Sequence, residues 1–251
     1  MKINYLISQF TFALIRLLNL PFFYFSRITG ISYQIFIPAS TYAPWLGDAE
    51  YLKLYRQAKK NSLVNFYQGY ELWKLIEQTG KLEGDVLEVG VWRGSTSIIM
   101  ATKLKNMNSA KQVYACDTFE GVVKSSKEYD NFYQNGEHSD TSFEFVKNLV
   151  ENKFGLNNVT LLKGIFPDDT ARMINDRKFC FCHVDVDTYQ SAKEVVNWIW
   201  DKLSTGGMIV FNDYGFPMTR GITKLVNAYR EDSDKVVIHN FNGHGIIIKI
   251  K

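Results

Sequence analysis

The chain has 251 residues, of which 46% are hydrophobic and 22% are charged, and its formal net charge is +3. This length suffices for one sizeable α/β core with an accessory segment, but not for two large independent domains. No run of Lys and Arg is dense enough to indicate a nucleic-acid surface, so no nucleic-acid partner is expected. The three cysteines fit neither a disulfide framework nor a zinc motif and predict buried free thiols in a reducing compartment: Cys116, Cys180 and Cys182.

The N-terminal part of the chain is apolar and rich in aromatic side chains. Residues 5–26 carry a single charge, at Arg16, and no small-residue cleavage site follows them, which disfavours a secretory signal. The apolar run is interrupted by three residues, Arg16, Asn19 and Pro21, and these interruptions disfavour a membrane-spanning helix. Two interpretations stay open: contact with a membrane surface through residues 1–37, and packing against the core or against a second subunit of a homo-oligomer.

The following part of the chain is predicted to be helical. Helical patterns run from Asp48 to Lys59, with Asp48 as the N-cap, and from Leu63 to Thr79. Pro and Gly residues interrupt the stretch 31–47, which predicts irregular structure there. The chain is therefore divided into an N-terminal segment (1–47), a helical accessory layer (48–80) and a main domain (81–251).

In the main domain, strand patterns alternate with helical patterns. Seven strands are predicted, at residues 85–88, 113–117, 159–162, 179–186, 208–211, 236–241 and 245–250. The clearest helical stripe consists of Ala192, Val195, Val196, Ile199 and Leu203. The short connection at 242–244 indicates a hairpin, so the last strand should be antiparallel. These patterns predict a Rossmann-like α/β fold with a seven-stranded, mostly parallel sheet, and a polar loop or lid at 120–140.

A glycine-containing turn follows the first predicted strand, in the sequence Glu88-Val89-Gly90-Val91-Trp92-Arg93-Gly94-Ser95. Gly90 and Gly94 allow a tight turn and let a ligand approach the backbone amides of the next helix. Their GxxxG spacing differs from the GxGxxG of dinucleotide binders, and it suits a nucleoside with a zwitterionic amino-acid tail better than a pyrophosphate. Asp117, 27 residues after Gly90, ends the second strand, where an acid can accept both ribose hydroxyls.

Four polar side chains follow two neighbouring strands. Asp185 and Asp187 end the long apolar strand, and Asn212 and Asp213 end the next one. The carboxyl ends of parallel strands meet at one edge of a sheet, so these side chains should converge. An oxygen-only set of ligands selects Mg²⁺, or Mn²⁺, over zinc. The alternative is that these residues only cap the turns and helices that follow.

Four stretches, in this order, resemble the macrocin-type sugar O-methyltransferases, which are class I S-adenosylmethionine-dependent enzymes: GDVLEVGVWRGSTS, ACDTFEGV, VDVDTYQSA and GGMIVFNDYG. The resemblance extends from Asp48 to the C-terminus. It implies the class I methyltransferase fold, with an N-terminal helical segment added in this chain. It also implies S-adenosylmethionine as the cofactor and methylation of a sugar hydroxyl.

The resemblance assigns a role to each motif residue. The amino-acid end of the cofactor would be held by Glu88, Gly90, Gly94 and Ser95. Asp117 would bind its ribose, and Trp92 and Thr118 would make further contacts with the cofactor. Magnesium would be chelated by Asp185, Asn212 and Asp213. Asp187 would be the catalytic base, with Asp185 beside it. This chain departs from the family at Asn212, where a second consecutive Asp is usual, so the site carries one less negative charge.

The expected function is therefore magnesium-assisted O-methylation of a sugar hydroxyl, on a glycan, a nucleotide sugar or a glycosylated metabolite, as in polysaccharide biosynthesis. A catechol-like small molecule is the alternative substrate, and a non-catalytic nucleoside-binding scaffold is the alternative class. The expected location is the cytoplasm, at the membrane periphery if the N-terminus binds a bilayer. Among the histidines, His183 is predicted to be a satisfied core residue and His138 to line the entrance. For His244 a role near the substrate is the less favoured interpretation.

Overall fold

The computed structural model describes residues 2–29, 37 and 42–251. The chain divides into two compact units, Met1–Ala49 and Glu50–Lys251. Most of the stretch 31–47, predicted to be irregular, lies outside the described residues. Its described part contains a short 3₁₀ helix at Pro44–Gly47.

The first unit is dominated by one long helix, α1 (Lys2–Thr29), which continues through Pro21. The Asn19 side chain makes two hydrogen bonds to the backbone of Ile37. Its Nδ2 donates to the carbonyl (3.0 Å) and its Oδ1 accepts from the amide (2.8 Å). Many apolar side chains of α1 are exposed, among them Phe10 and Ile28. None of the described helices, α1 included, has the length and apolarity needed to cross a bilayer.

The second unit begins with two helices, α2 (Ala49–Ala58) and α3 (Phe66–Thr79). The predicted start of α3 at Leu63 is wrong by three residues, because Asn65 forms the N-cap. Its side chain accepts from the backbone amides of Tyr67 (2.9 Å) and Gln68 (3.0 Å), which would otherwise have no partner in the first turn. Gln68 completes a capping box with the Asn65 amide.

A seven-stranded sheet forms the centre of the second unit. The strands are β1 (Asp85–Val89), β2 (Val113–Asp117), β3 (Val159–Lys163), β4 (Phe179–Val184), β5 (Leu203–Phe211), β6 (Lys235–His239) and β7 (Gly245–Lys249). Their order is β3-β2-β1-β4-β5-β7-β6. Only β7 is antiparallel to its neighbours, β5 and β6, and the other pairs are parallel. The predicted Rossmann-like fold with an antiparallel last strand is confirmed.

Four helices connect these strands: α4 (Ser95–Asn106), α5 (Phe143–Asn148), α6 (Tyr189–Ile199) and α7 (Arg220–Ala228). Helix α3 packs with α4, and α6 packs with α7. The assignment of Leu203 to the α6 stripe is wrong, since α6 ends at Ile199 and Leu203 is the first residue of β5. The hairpin loop is longer than predicted and spans 240–244, closed by a bond from the Asn240 amide to the His244 carbonyl (2.9 Å).

The sheet brings four strand ends to one edge. Val89 of β1 is aligned with Cys116 of β2 and with Val184 of β4, and Val184 is aligned with Phe211 of β5. The residues that follow these strands therefore lie side by side. The strand order changes direction between β1 and β4, the place where open α/β sheets form a ligand-binding crevice.

Candidate active site

A cavity of about 500 Å³ opens at this edge of the sheet. That volume falls within the usual range for small-molecule sites. Nine of the eleven residues predicted from the sequence line it: Gly90, Trp92, Ser95, Asp117, Thr118, Asp185, Asp187, Asn212 and Asp213. Glu88 and Gly94 do not line it. All three cysteines are free and buried, as predicted, and Cys116 forms part of the wall.

The turn between β1 and α4 depends on its glycines. Gly90 has a φ of +90°, and a Cβ there would lie 1.9 Å from the carbonyl oxygen of Asp185. Gly94 has a φ of +82°, immediately before the first turn of α4. At the start of α4, the Ser95 hydroxyl is buried and has no hydrogen-bond partner among the described residues. A buried polar atom without a partner is costly, so a ligand group there would stabilise this turn.

Asp117 holds the same turn from the end of β2. Its Oδ2 accepts from the amides of Val91 (2.6 Å) and Trp92 (2.8 Å), and its Oδ1 accepts from the amide of Phe119 (2.6 Å). A carboxylate offers about four acceptor positions, so roughly one is left for a ligand. Asp117 therefore shapes the glycine turn, and its contact with a ribose stays a prediction.

Glu88 is fully buried behind the cavity wall rather than facing the cavity. It accepts from the Ser97 hydroxyl, and its Oε1 lies 2.9 Å from His183 Nδ1. His183 is buried as predicted, but its Nε2 has no hydrogen-bond partner among the described residues, so the prediction of a satisfied histidine is wrong for that atom. The contact of Glu88 with the cofactor stays a prediction.

Three carboxylates line the cavity beside the glycine turn: Asp185, Asp187 and Asp213. The side chain of Asp213 is hydrogen-bonded to both Asp185 and Asp187. Burial raises the pKa of Asp185 and of Asp187 well above the usual value, and the neighbouring Asp213 raises each further. The predicted strand over residues 179–186 is two residues too long, because β4 ends at Val184, and Asp187 in the following turn has a φ of +61°. The turn, rather than the strand, directs both carboxylates to Asp213.

A magnesium ion requires oxygen ligands, and the cluster supplies them. Among the residues that the structure describes, no group of three or more His, Cys, Asp or Glu side chains has the arrangement of a metal site. The predicted ligand set contains only two such side chains, the carboxylates of Asp185 and Asp213, together with the amide of Asn212. Magnesium is usually held by one or two carboxylates with water and substrate oxygens completing the shell. The donor set therefore fits the ion in its chemistry.

The polar segment between β2 and α5, predicted as a loop or lid, forms one side of the cavity. Asp140 fastens it to the glycine turn, since its Oδ1 accepts from Trp92 Nε1 (2.7 Å) and its Oδ2 pairs with Arg93 (2.6 Å). Tyr133 and His138 of this segment line the cavity, as predicted for His138. Burial, and then the charge of Asp187, raises the pKa of the Tyr133 hydroxyl. The hydroxyl therefore stays protonated and able to donate at neutral pH.

Thr118 is the first residue of this segment, and its hydroxyl is hydrogen-bonded to the backbone of the segment itself. The hydroxyl donates to the carbonyl of Gly121 (2.8 Å) and accepts from the amide of Glu120 (3.1 Å). These bonds set the direction in which the chain leaves β2. The predicted contact of Thr118 with the cofactor stays a prediction.

Sequence patterns did not indicate a buried chain of polar residues behind Asn212. His244 is fully buried, with its Nδ1 2.5 Å from Glu71 Oε2 on α3 and its Nε2 3.3 Å from Asn212 Oδ1. Burial lowers the pKa of His244, and the hydrogen bond that its Nδ1 makes to Glu71 opposes that shift. Glu71 and His244 are 173 positions apart and belong to no common motif, so only the fold shows that they are paired.

The chain matches known proteins in both sequence and structure. The model of the family described as Macrocin-O-methyltransferase (TylF) matches residues 71–240. A Streptomyces olivaceus protein, 8-demethyl-8-(2,3-dimethoxy-alpha-L-rhamnosyl)-tetracenomycin-C 4'-O-methyltransferase, is 29% identical over 155 residues, or 59% of this chain and 58% of that protein. Mycinamicin III 3''-O-methyltransferase of Micromonospora griseorubida is 30% identical over 168 residues, or 61% of this chain and 64% of that protein. The matches thus span about three fifths of each relative.

Solved structures show the same fold. The O-methyltransferase NovP has a TM-score of 0.64 at 21% identity, covering 76% of this chain and 83% of that one. The calicheamicin methyltransferase CalS11 has a TM-score of 0.60 at 13% identity, covering 83% and 94%. At such identities the likeness concerns the fold alone. Because the family model covers more than half of the sequence, this chain belongs to the macrocin O-methyltransferase family.

Proposed function

We propose that the chain transfers a methyl group from S-adenosylmethionine to a sugar hydroxyl. The observation that carries this proposal is the cavity, which joins the glycine turn, Asp117 and the acidic cluster at one edge of the sheet. Membership of the family and the names of two relatives, which methylate a rhamnosyl-tetracenomycin and a mycinamicin, support a sugar as the acceptor.

The glycine turn and the start of α4 suit the cofactor. S-adenosylmethionine supplies an activated methyl group bound to a sulfonium centre. Gly90 and Ser95 line the cavity where α4 begins, an end at which the first backbone amides of a helix have no partner within the helix, and the unpaired Ser95 hydroxyl can bind the amino-acid end. Asp117 retains about one acceptor position for a ribose hydroxyl.

The acidic cluster suits magnesium, held by Asp185, Asp213 and the side-chain oxygen of Asn212. When bound there, Mg²⁺ would supply positive charge that favours loss of the proton from a substrate hydroxyl. It would also offset the charges of Asp213 and Asp187, which add to the effect of burial in raising the pKa of Asp185.

We assign the role of general base to Asp187. Its side chain lines the cavity beside Asp185 and Asp213, and it can accept the proton that the sugar hydroxyl loses as the new O–CH₃ bond forms. The C–S bond of the cofactor breaks in the same step, which leaves S-adenosylhomocysteine. General-base catalysis typically contributes about 10²–10⁴-fold to the rate.

A labelled-methyl assay tests the function and the base together. The full chain would be incubated with labelled S-adenosylmethionine and Mg²⁺ against nucleotide sugars, extracted glycans and catechols. We expect label in a sugar acceptor, its loss with EDTA, and a decrease of about 10²-fold or more in Asp187→Asn with cofactor binding unchanged. Label in catechols alone would contradict the sugar acceptor. Full activity with EDTA would contradict the role of the metal, and near-normal turnover of Asp187→Asn would contradict its role as the base.

We further propose that α1 lies on the surface of an anionic membrane. An apolar stripe recurs along it at helical spacing, formed by Ile7, Phe10, Leu14, Leu17, Pro21, Phe25 and Ile28, and all of these residues are exposed. Arg16 and Arg27 lie on the other side of the helix, and no Asp or Glu precedes Asp48 in the chain. An apolar face opposite basic side chains is typical of helices that lie in the interface of anionic bilayers.

Vesicle co-sedimentation of the full chain tests this surface. We expect binding to vesicles containing phosphatidylserine, weaker binding to phosphatidylcholine alone, and loss of binding in Phe10→Ser/Phe25→Ser. The matched control is Phe23→Ser, since Phe23 lies on the basic side with Arg27 5.7 Å from its ring centroid, and binding should persist. Equal loss in both variants, or a stable dimer without vesicle binding, would contradict the proposal.

A further inference from the structure

We propose that Glu71 and His244 act as a positioning pair, turning the side-chain amide of Asn212 so that its oxygen faces the acidic cluster. The inference rests on the proposed magnesium site. It concerns the one ligand at which this chain differs from the usual pattern of its family. A carboxylate presents oxygen in either orientation, whereas an amide presents oxygen in one and a non-ligating NH₂ in the other.

Glu71 acts as a hydrogen-bond acceptor throughout. Its Oε1 accepts from the Asn240 side chain, and its Oε2 accepts from Asn242 Nδ2 at 2.8 Å. Both donors belong to the loop between β6 and β7, which also carries His244. Because amide NH₂ groups can only donate, the carboxylate of Glu71 is left to accept from His244 as well, and the proton between them belongs to Nδ1.

The proton on Nδ1 decides what the other ring nitrogen can do. His244 is fully buried, and burial disfavours a charged imidazolium. A neutral imidazole with its proton on Nδ1 has a lone pair on Nε2, which is an acceptor. The group that faces Nε2 must then be a donor, and that group is the Asn212 side chain.

Asn212 has two orientations that exchange its contacts. In one, Oδ1 lies 3.3 Å from His244 Nε2 and Nδ2 lies 3.4 Å from Asp213 Oδ1. A half-turn of the amide places Nδ2 at Nε2 and Oδ1 at Asp213. Only the second arrangement pairs a donor with Nε2, and it replaces the hydrogen bond from Nδ2 to Asp213 by two facing oxygens, which a cation beside them would stabilise. That orientation also presents the oxygen to the carboxylates that would hold the cation.

A structural role for Glu71 and His244 would have different consequences. The two residues also fasten the β6–β7 loop to α3, so their loss could act through the fold alone. His244→Asn separates the two roles, because the shorter amide can still donate to Glu71 but does not reach Asn212. Glu71→Gln is the second variant, because its single side-chain oxygen cannot serve Asn240, Asn242 and His244 together.

The experiment is a titration of the full-length chain with Mn²⁺, followed by electron paramagnetic resonance, in a double-mutant cycle of His244→Asn and Asn212→Ala. We expect His244→Asn to weaken Mn²⁺ binding by about 10–100-fold, the usual effect of removing a partner of a metal ligand, with its melting temperature little changed. In the Asn212→Ala background the same substitution should have no further effect. Equal losses in both backgrounds would overturn the inference, whereas a wild-type chain that binds no Mn²⁺ would contradict the proposed metal site itself.

The tautomer of His244 gives an independent readout that needs no metal. We expect ¹⁵N spectra of the imidazole to show the proton on Nδ1 in the wild type and on Nε2 in Glu71→Gln, with Mn²⁺ affinity reduced in that variant. A wild-type proton on Nε2 would overturn the inference.

Discussion

At the scale of single residues, the site depends on backbone approaches that leave no room for a side chain. Gly90 lies against the carbonyl of Asp185, so the glycine turn of one strand and the acidic turn of the next are packed backbone to backbone. The GxxxG spacing predicted a tight turn but not this neighbour. The approach holds the proposed cofactor wall and the proposed metal wall at a fixed separation.

Gly90→Ala should therefore destabilise the protein more than backbone strain alone can explain. Gly136 is a matched control, because its φ of +91° is almost the same but nothing lies within 4 Å of a Cβ there. We expect Gly136→Ala to reduce the free energy of unfolding by about 1 kcal/mol and Gly90→Ala by about 3 kcal/mol or more, measured by urea denaturation. Equal losses in the two variants would mean that the Asp185 carbonyl moves away at little cost.

The sequence indicated which residue types gather at the site but not how they are paired. Chain positions after strand ends were enough to place Asp117, Asp185 and Asp213 around one cavity, because a parallel sheet aligns those ends. The pairs Glu88–His183 and Glu71–His244 join residues 95 and 173 positions apart. No local pattern relates such residues, so their pairing requires the fold.

At the scale of elements, hydrophobic periodicity predicted the type of each helix and strand better than its ends. Asn65 begins α3 through a capping box, and Leu203 begins β5 although it continues the helical spacing of α6. Caps and strand pairing determine where such elements begin and end, and the apolar pattern alone does not predict these positions.

The packing of α3 on α4 includes an ion pair that makes stability depend on pH. Glu77 lies 2.5 Å from Lys103 and 2.7 Å from Lys74, and Lys103 is the less exposed of the two lysines. Hydrogen bonds from Lys103 and then Lys74 lower the pKa of Glu77 below its ordinary value of 4.5. The stabilisation is therefore complete above pH 4.5 and is lost as the pH falls through the lower pKa of the folded protein.

Glu77→Gln should remove this dependence. We expect the variant to be about 1 kcal/mol less stable than the wild type at neutral pH and equally stable well below pH 4.5, measured by urea denaturation across pH. Glu83→Gln is the control, because Glu83 and its partner Lys178 are both mostly exposed and their pair should contribute little. A difference for Glu77→Gln that persists unchanged in acid would exclude the ion pair as its cause.

At the scale of the whole molecule, the chain consists of a long helix with many exposed apolar side chains and its adjoining residues, and a methyltransferase fold that begins near Glu50. All residues that line the cavity belong to the second unit. Composition indicated the apolar N-terminus, but the choice between a membrane and a partner subunit depends on which face of α1 is covered.

Removal of residues 1–41 should leave a folded unit that retains cofactor binding. We expect one cooperative thermal transition and an increase of the melting temperature with S-adenosylhomocysteine similar to that of the full chain, followed by differential scanning fluorimetry. Vesicle binding should be lost in the same protein. A truncated chain that aggregates or fails to unfold cooperatively would show that the first unit completes the core.

The most direct test of the account is a calorimetric titration of the full-length chain with S-adenosylhomocysteine, the product of the proposed reaction, with NAD titrated in parallel. The glycine spacing and the partly occupied Asp117 predict binding of S-adenosylhomocysteine and none of NAD, since the turn lacks the glycine cluster that a pyrophosphate requires. Asp117→Ala should weaken that binding about tenfold or more, and Glu83→Gln should leave it unchanged. Binding of NAD without binding of S-adenosylhomocysteine would contradict the account.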